Sequence, residues 1–137
     1  MTGNREFLWP VRVYWEDTDA AGVVYYANYL KFMERARTEW LRALGVEQQV
    51  LRDQDERMFV VSRAEIDYHR PARYGEALLV SSRIARRTPA RLTFGQQILR
   101  TGTDQVLVEG QVDVVCVNAL TFKPARMPDW IQQVLER

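Results

Sequence analysis

The sequence predicts an α+β fold in which one long helix packs on a curved antiparallel sheet, with elements in the order β-α-β-β-β-β-α. Three observations predict it. Between residues 26 and 44 the apolar side chains recur at helical spacing over a single long stretch. From about residue 60 onward, apolar and polar residues alternate through four successive segments. Short turn-forming stretches separate those segments, and neither an internal repeat nor a Pro/Gly/Ser linker interrupts them.

The first strand is expected near Leu8 to Trp15, in LWPVRVYW, with Pro10 suggesting an edge or a strand start. Residues 16–24 form an acidic, glycine-containing connection. The helix follows, from near Tyr26–Asn28 to Leu44. Its apolar positions Tyr29, Met33, Ala36, Trp40 and Leu44 step by four, three, four and four. Leu30 and Leu41 widen that stripe, Lys31, Glu34, Arg35, Glu39 and Arg42 form the wet side, and Gly45 is a C-terminal stop.

In the next segment Val60, Ala64, Ile66 and Tyr68 alternate with Arg63, Glu65, Asp67 and His69. Leu78, Val80 and Ile84 begin a further strand, and the TPAR turn, Thr88 to Arg91, leads to another through Leu92, Phe94 and Ile98. TGTDQ then turns the chain into Val106, Val108, Val112, Val114 and Cys116. Pro128 opens a short last helix with Trp130, Ile131, Val134 and Leu135 on one face. Antiparallel pairing through short turns is expected of the consecutive strands. One sheet with one long helix leaves apolar surface uncovered, so a homo-oligomer, dimer or tetramer, is expected.

A length of 137 residues fits one domain spanning 1–137. The formal net charge of +1 removes any global pull toward nucleic acid or an anionic membrane. A single cysteine, Cys116, excludes an intramolecular disulfide. MTGNREFLWP carries charges where a signal peptide needs an apolar run, and no apolar stretch is long enough to span a bilayer. A reducing cytoplasm is the expected compartment.

The chain has no P-loop, no Gly-rich nucleotide loop and no GxSxG elbow. His69 is its only histidine, sits opposite the apolar face of its strand, and is expected to be structural or solvent-facing. Cys116 lies in register with four valines and is expected to be a buried, inert thiol. The informative segment is EDTDAAGVVYYANY. Glu16, Asp17 and Asp19 crowd just before a helix start, where carboxylates complement the helix dipole as caps. A solvated cap, however, has no reason to be followed by Gly22, two valines and Tyr25, Tyr26 and Tyr29. A loop that folds over a ligand beside free backbone N–H groups does.

This segment resembles the active-site signature of the 4-hydroxybenzoyl-CoA thioesterase family: an Asp, two residues, Gly, two apolar residues, then an aromatic-rich helix start. VRVYWEDTDAAGVVYYANYLKFMERARTEWL is similar to the branch of Tol–Pal-associated acyl-CoA thioesterases almost throughout. IDYHRPARYGEALLV and RRTPARLTFGQQI are similar to that branch's later strands. The resemblance implies the hotdog fold, a long helix wrapped by the sheet, with active sites at a dimer interface. It implies hydrolysis of acyl-CoA, or acyl-carrier-protein, thioesters without metal or cofactor. By position, the catalytic aspartate is Asp19, and Tyr26 supplies the backbone N–H that polarises the thioester carbonyl. Tyr26 stands where the Tol–Pal branch usually has histidine, and Trp15 where it usually has tyrosine.

Trp15, Gly22, Val24 and Tyr25 complete the expected substrate loop. Arg83, Arg86, Arg87 and Arg91 put four cations in nine positions, and Arg86, Arg87 and Arg91 are expected to grip nucleotide phosphates. A solvated hairpin is the alternative for these arginines. A thioester carbonyl is reactive enough for one carboxylate to suffice, either attacking directly or deprotonating water. A non-catalytic acyl-ligand-binding or assembly module of the same fold remains the competing reading; it would not depend on Asp19.

Overall fold

The computed structural model describes residues 5–136, so the first four residues of the charged N-terminal stretch and the last residue of the expected 1–137 span lie outside it. Strands β1 (Glu6–Arg12), β2 (Arg57–Tyr68), β3 (Ala77–Arg87), β4 (Arg91–Arg100) and β5 (Val106–Asn118) form one sheet in the order β1-β3-β4-β5-β2. Every pairing is antiparallel. The long helix α1 (Asn28–Ala43) lies against the concave face. Short helices α2 (Gln48–Asp55) and α3 (Asp129–Leu135) close one end.

Three register shifts, at Val61/Arg63, Ile84/Arg86 and Ile98/Leu99, mark where the ladder is irregular. Such bulges bend strands and increase twist, which lets five strands wrap one helix. The buried face of α1 carries Tyr29, Phe32, Met33, Ala36, Trp40 and Leu41. These meet Leu78, Val80, Ile98 and Val108 at one end of the sheet, and Leu92, Phe94, Val112 and Cys116 at the other. Gly45, at φ +89, ends the helix as expected.

Several expectations need correction. β1 stops at Arg12, and Trp15–Asp17 form a single 3-10 turn. β2 does not pair with β3. It crosses to the far edge and pairs with β5, so only β3, β4 and β5 are joined as successive hairpins. The alternation seen in β2 is that of an edge strand, exposed over much of both faces. α2 was not foreseen: eight residues rich in Gln and Asp offer only Leu51 as a buried anchor. Leu30 and Trp130 are exposed rather than buried, whereas Arg37 is buried. The Arg37 guanidinium donates to Gln96 Oε1 (3.0 Å), and the Gln96 amide donates to Met33 O (3.0 Å) and Ser82 Oγ (2.9 Å). This network ties helix to sheet, and desolvation holds Arg37 below its ordinary pKa. Pro10 does lie on an edge strand, β1. Among the described residues no helix is long and apolar enough to cross a membrane.

Candidate active site

The β1–α1 connection is held by its own polar groups. Asp17 Oδ2 accepts the Tyr14 N–H (2.8 Å) and closes the 3-10 turn. Asp17 O accepts both the Tyr25 N–H (2.9 Å) and the Asn28 side-chain amide (2.9 Å). Between these anchors the chain makes a tight turn. The Asp19 N–H donates to Val23 O (2.9 Å), and the Gly22 N–H donates to Asp19 O (2.9 Å). Gly22 sits at φ +80, where a side chain is strained, so the glycine sets the turn.

Asp19 caps this turn and not the helix. Its Oδ1 accepts the Ala21 N–H (2.9 Å), while the residue itself is exposed. The N-cap of α1 is Ala27, without a side-chain cap and without an acidic residue in the first turn. None of the three carboxylates therefore caps α1. Neither the Tyr26 nor the Ala27 backbone N–H has an acceptor among the described residues. An exposed carboxylate and free donors at a helix start thus share one short loop.

A second layer fixes this loop from behind. The Val24 N–H donates to Ala72 O (2.8 Å), and Val23 bridges to Arg73. The Tyr29 hydroxyl accepts the Ala72 N–H (2.9 Å), and burial raises the pKa of that phenol. Val24 is buried in the core, so it anchors the loop from within. Tyr25 and Tyr26 are exposed, with ring centroids 5.0 Å apart. The Tyr26 ring meets Tyr68 edge-on at 5.9 Å. Trp15, 70% exposed, packs edge-on against Tyr74 at 5.3 Å. Sequence reading missed Tyr68, whose strand alternation disguised it as an ordinary sheet residue, and Asn28, whose side chain locks loop to helix.

The structure separates the arginine cluster from Asp19. Arg12 pairs with Ala77 at the loop end of the sheet, whereas Arg86 and Arg87 lie about ten residues further along β3, roughly 30 Å away at ~3.3 Å per residue. Arg87 is also engaged: its Nη1 donates to Gln132 O (3.2 Å) and its Nη2 lies 3.8 Å from Glu136. It fastens β3 to α3. Arg86 and Arg91 remain exposed. His69 is exposed, with Nε2 3.0 Å from Glu109 Oε1. Hydrogen bonds from His69 and Gln97 hold the Glu109 carboxyl below the usual carboxylate range. Cys116 is fully buried, which pushes its thiol pKa up to about 11 and leaves it inert.

Residues 13–135 match the family model of the thioesterase-like superfamily. The chain belongs to the thioesterase-like superfamily. Among relatives in that superfamily, the acyl-CoA thioester hydrolase YbgC of Escherichia coli is 46% identical over 123 residues, covering 89% of this chain and 90% of the relative. The acyl-CoA thioesterase YbgC of Haemophilus influenzae is 43% identical, covering 89% and 88%. The 1,4-dihydroxy-2-naphthoyl-CoA thioesterase Slr0204 from Synechocystis superposes with a TM-score of 0.88 at 28% identity, over 96% of each chain. The helix wrapped by five antiparallel strands is the hotdog arrangement of this thioesterase-like superfamily, as the signature segment implied.

Proposed function

We propose that this protein hydrolyses acyl-CoA thioesters, with Asp19 as the essential carboxylate. The observation that carries the reading is the joint presentation of the exposed Asp19 carboxylate and the free Tyr26 and Ala27 N–H groups on one loop. The names of the E. coli and H. influenzae relatives support the substrate class. The thioester carbonyl oxygen lies toward the helix start, where the Tyr26 N–H holds the developing oxyanion; one such donor contributes about 10²–10³ in rate in well-studied enzymes. Asp19 either attacks the carbonyl carbon, expelling the thiolate and leaving an anhydride that water opens, or takes the proton from an attacking water. In both routes the products are free acid and thiol, and Asp19 is regenerated. The same chemistry extends to thioesters on an acyl carrier protein. Trp15, Gly22 and Tyr25 shape the loop around the acyl group. A CoA substrate and the free thiol of Cys116 both fit a cytoplasmic setting.

The functional unit is a homodimer joined through β2. Of the two sheet edges, β1 carries Pro10, which has no N–H to offer, while β2 presents twelve residues with Val61 52% exposed. Arg63 and Glu65 lie on this edge 2.7 Å apart. Two-fold antiparallel pairing around Ala64 sets each Arg63 opposite the partner's Glu65. Such pairing also inverts the partner. The partner's Arg86 and Arg91, remote from Asp19 in their own chain, then come to the same end as this chain's loop and supply the phosphate contacts.

A thiol-release assay across short aliphatic, aromatic and long-chain acyl-CoAs tests the activity. The expected outcome is release from at least one member without added metal and unaffected by chelator. No turnover on the whole panel would favour an acyl-ligand-binding module, and loss with chelator restored by zinc would overturn the metal-free chemistry.

A further inference from the structure

We propose that the Leu120–Phe122 turn of one protomer forms an apolar wall of its partner's substrate channel, covering the pantetheine arm between the thioester and the nucleotide phosphates. The proposal rests on the acyl-CoA reading and the β2 pairing above. Three observations carry it: the exposure of the turn, its backbone, and its place in the sheet.

Leu120 is 79% exposed and Phe122 62%, on a turn that is firmly built. Asn118 Oδ1 accepts the N–H of Leu120 (2.9 Å) and of Thr121 (3.0 Å). The Asn118 carbonyl accepts the Phe122 N–H (2.8 Å), and the Asn118 N–H donates to Lys123 O (2.9 Å). Phe122 lies at φ +62, in the left-handed region that turns ordinarily fill with Gly or Asn. A bulky residue held there, with its ring in solvent, is strain without a local return. A ligand or neighbour that takes up the ring supplies one.

Its place in the sheet says which. The Ala119 N–H donates to Glu56 O (2.8 Å), and Arg57 pairs with Asn118, so the turn stands beside the beginning of β2. Antiparallel pairing of β2 with its copy brings the beginning of one strand opposite the end of the other. That end is Tyr68, whose ring packs on Tyr26. With strands about 4.8 Å apart, the turn comes within roughly 10–15 Å of the partner's Tyr26. Arg91 on β4 and Arg86 on β3 lie further from the seam on the same side, because β4 pairs with β5 and β3 with β4. The turn therefore falls between the reacting carbonyl and the phosphate-binding arginines, where the pantetheine arm must run. Binding at such a remote part of the substrate lowers KM more than it changes the chemical step.

The test uses Leu120→Ser/Phe122→Asn, since Asn accepts a left-handed backbone and leaves the turn intact. In the homodimer, KM for acyl-CoA should rise about tenfold with kcat within about twofold. The corresponding N-acetylcysteamine thioester, which lacks most of the arm, should be turned over unchanged. A hybrid dimer of one Asp19→Asn chain and one turn-variant chain then assigns the geometry. Acting across the seam, the intact turn of the Asp19→Asn chain serves the only intact Asp19, and the hybrid keeps the wild-type KM at half the kcat per dimer. A hybrid whose KM stays raised, or a variant homodimer with unchanged KM, overturns the proposal. A monomer in light scattering overturns the pairing beneath it, and a wild-type chain inert on acyl-CoA overturns the activity reading; these failures are read before the variant is made.

Discussion

Asp19 holds a turn and offers a charge, and substitution separates the two. Asp19→Asn keeps an oxygen for the Ala21 N–H, so the turn and thermal stability should survive. If the charge attacks or takes a proton, kcat on acyl-CoA should fall by at least about 10²-fold. Asp17→Asn is the matched control: it retains an acceptor for the Tyr14 N–H and should be mild. Equal activity of wild type and Asp19→Asn would remove Asp19 from the chemistry. What was legible at this scale was the loop, because Asp-x-x-Gly and three nearby tyrosines are an odd composition for a solvated cap. Arg37 and Arg87 were not legible as structural residues. A long polar side chain reads as surface from sequence, and only the fold shows Gln96 waiting for one and the end of α3 for the other.

Periodicity located each strand and the long helix to within a few residues, because their large apolar residues recur at the expected spacing. Burial itself does not alternate: β4 buries Leu92 to Gln96 in an unbroken run, and β5 buries Val114 to Val117. It did not locate β2 in the sheet. Alternation states which face a strand buries and is silent on which neighbour it takes, and the eight residues between β2 and β3 were enough to carry the chain across. α2 escaped because one buried leucine in eight residues makes no stripe. The β2–β3 crossover is itself held by Glu76, whose carboxylate binds the Arg100 guanidinium and accepts the Arg73 N–H (2.7 Å). The hydrogen bond from Arg100, followed by that of the Arg73 backbone against the opposing cost of burial, holds the Glu76 carboxyl below its ordinary range. Because the folded pKa is depressed, this pair's contribution is complete above the unfolded value of about 4.3 and is lost as pH falls through the folded one. The difference in urea midpoint between wild type and Glu76→Gln should therefore be largest above about pH 5 and shrink below about pH 4. A difference that is flat with pH would mean that Glu76 acts by packing alone.

At the scale of the whole molecule, a helix on one sheet has a free edge, and the charges on that edge are self-complementary. Arg63 and Glu65 are more than half exposed, so within one chain their pairing contributes little. In the proposed two-fold pairing about Ala64 the same residues meet as two intermolecular pairs, each Arg63 facing the partner's Glu65. Arg63→Glu converts both pairs from attraction to repulsion. At about 0.2–1 kcal/mol per exposed pair in either sense, the two reversals cost about 1–4 kcal/mol, and the dimer should weaken by roughly fourfold to several-hundredfold in Kd. The double swap Arg63→Glu/Glu65→Arg restores opposite charges at every contact and should restore association, a recovery that a general loss of folding would not show. Activity should follow association in both variants, because in the proposed dimer Arg86 and Arg91 reach Asp19 only from the partner. Sedimentation across a concentration series, run beside the thiol-release assay, separates the possibilities: a dissociated Arg63→Glu chain with unchanged kcat/KM for acyl-CoA would make the site complete within one chain and return Arg86 and Arg91 to solvent.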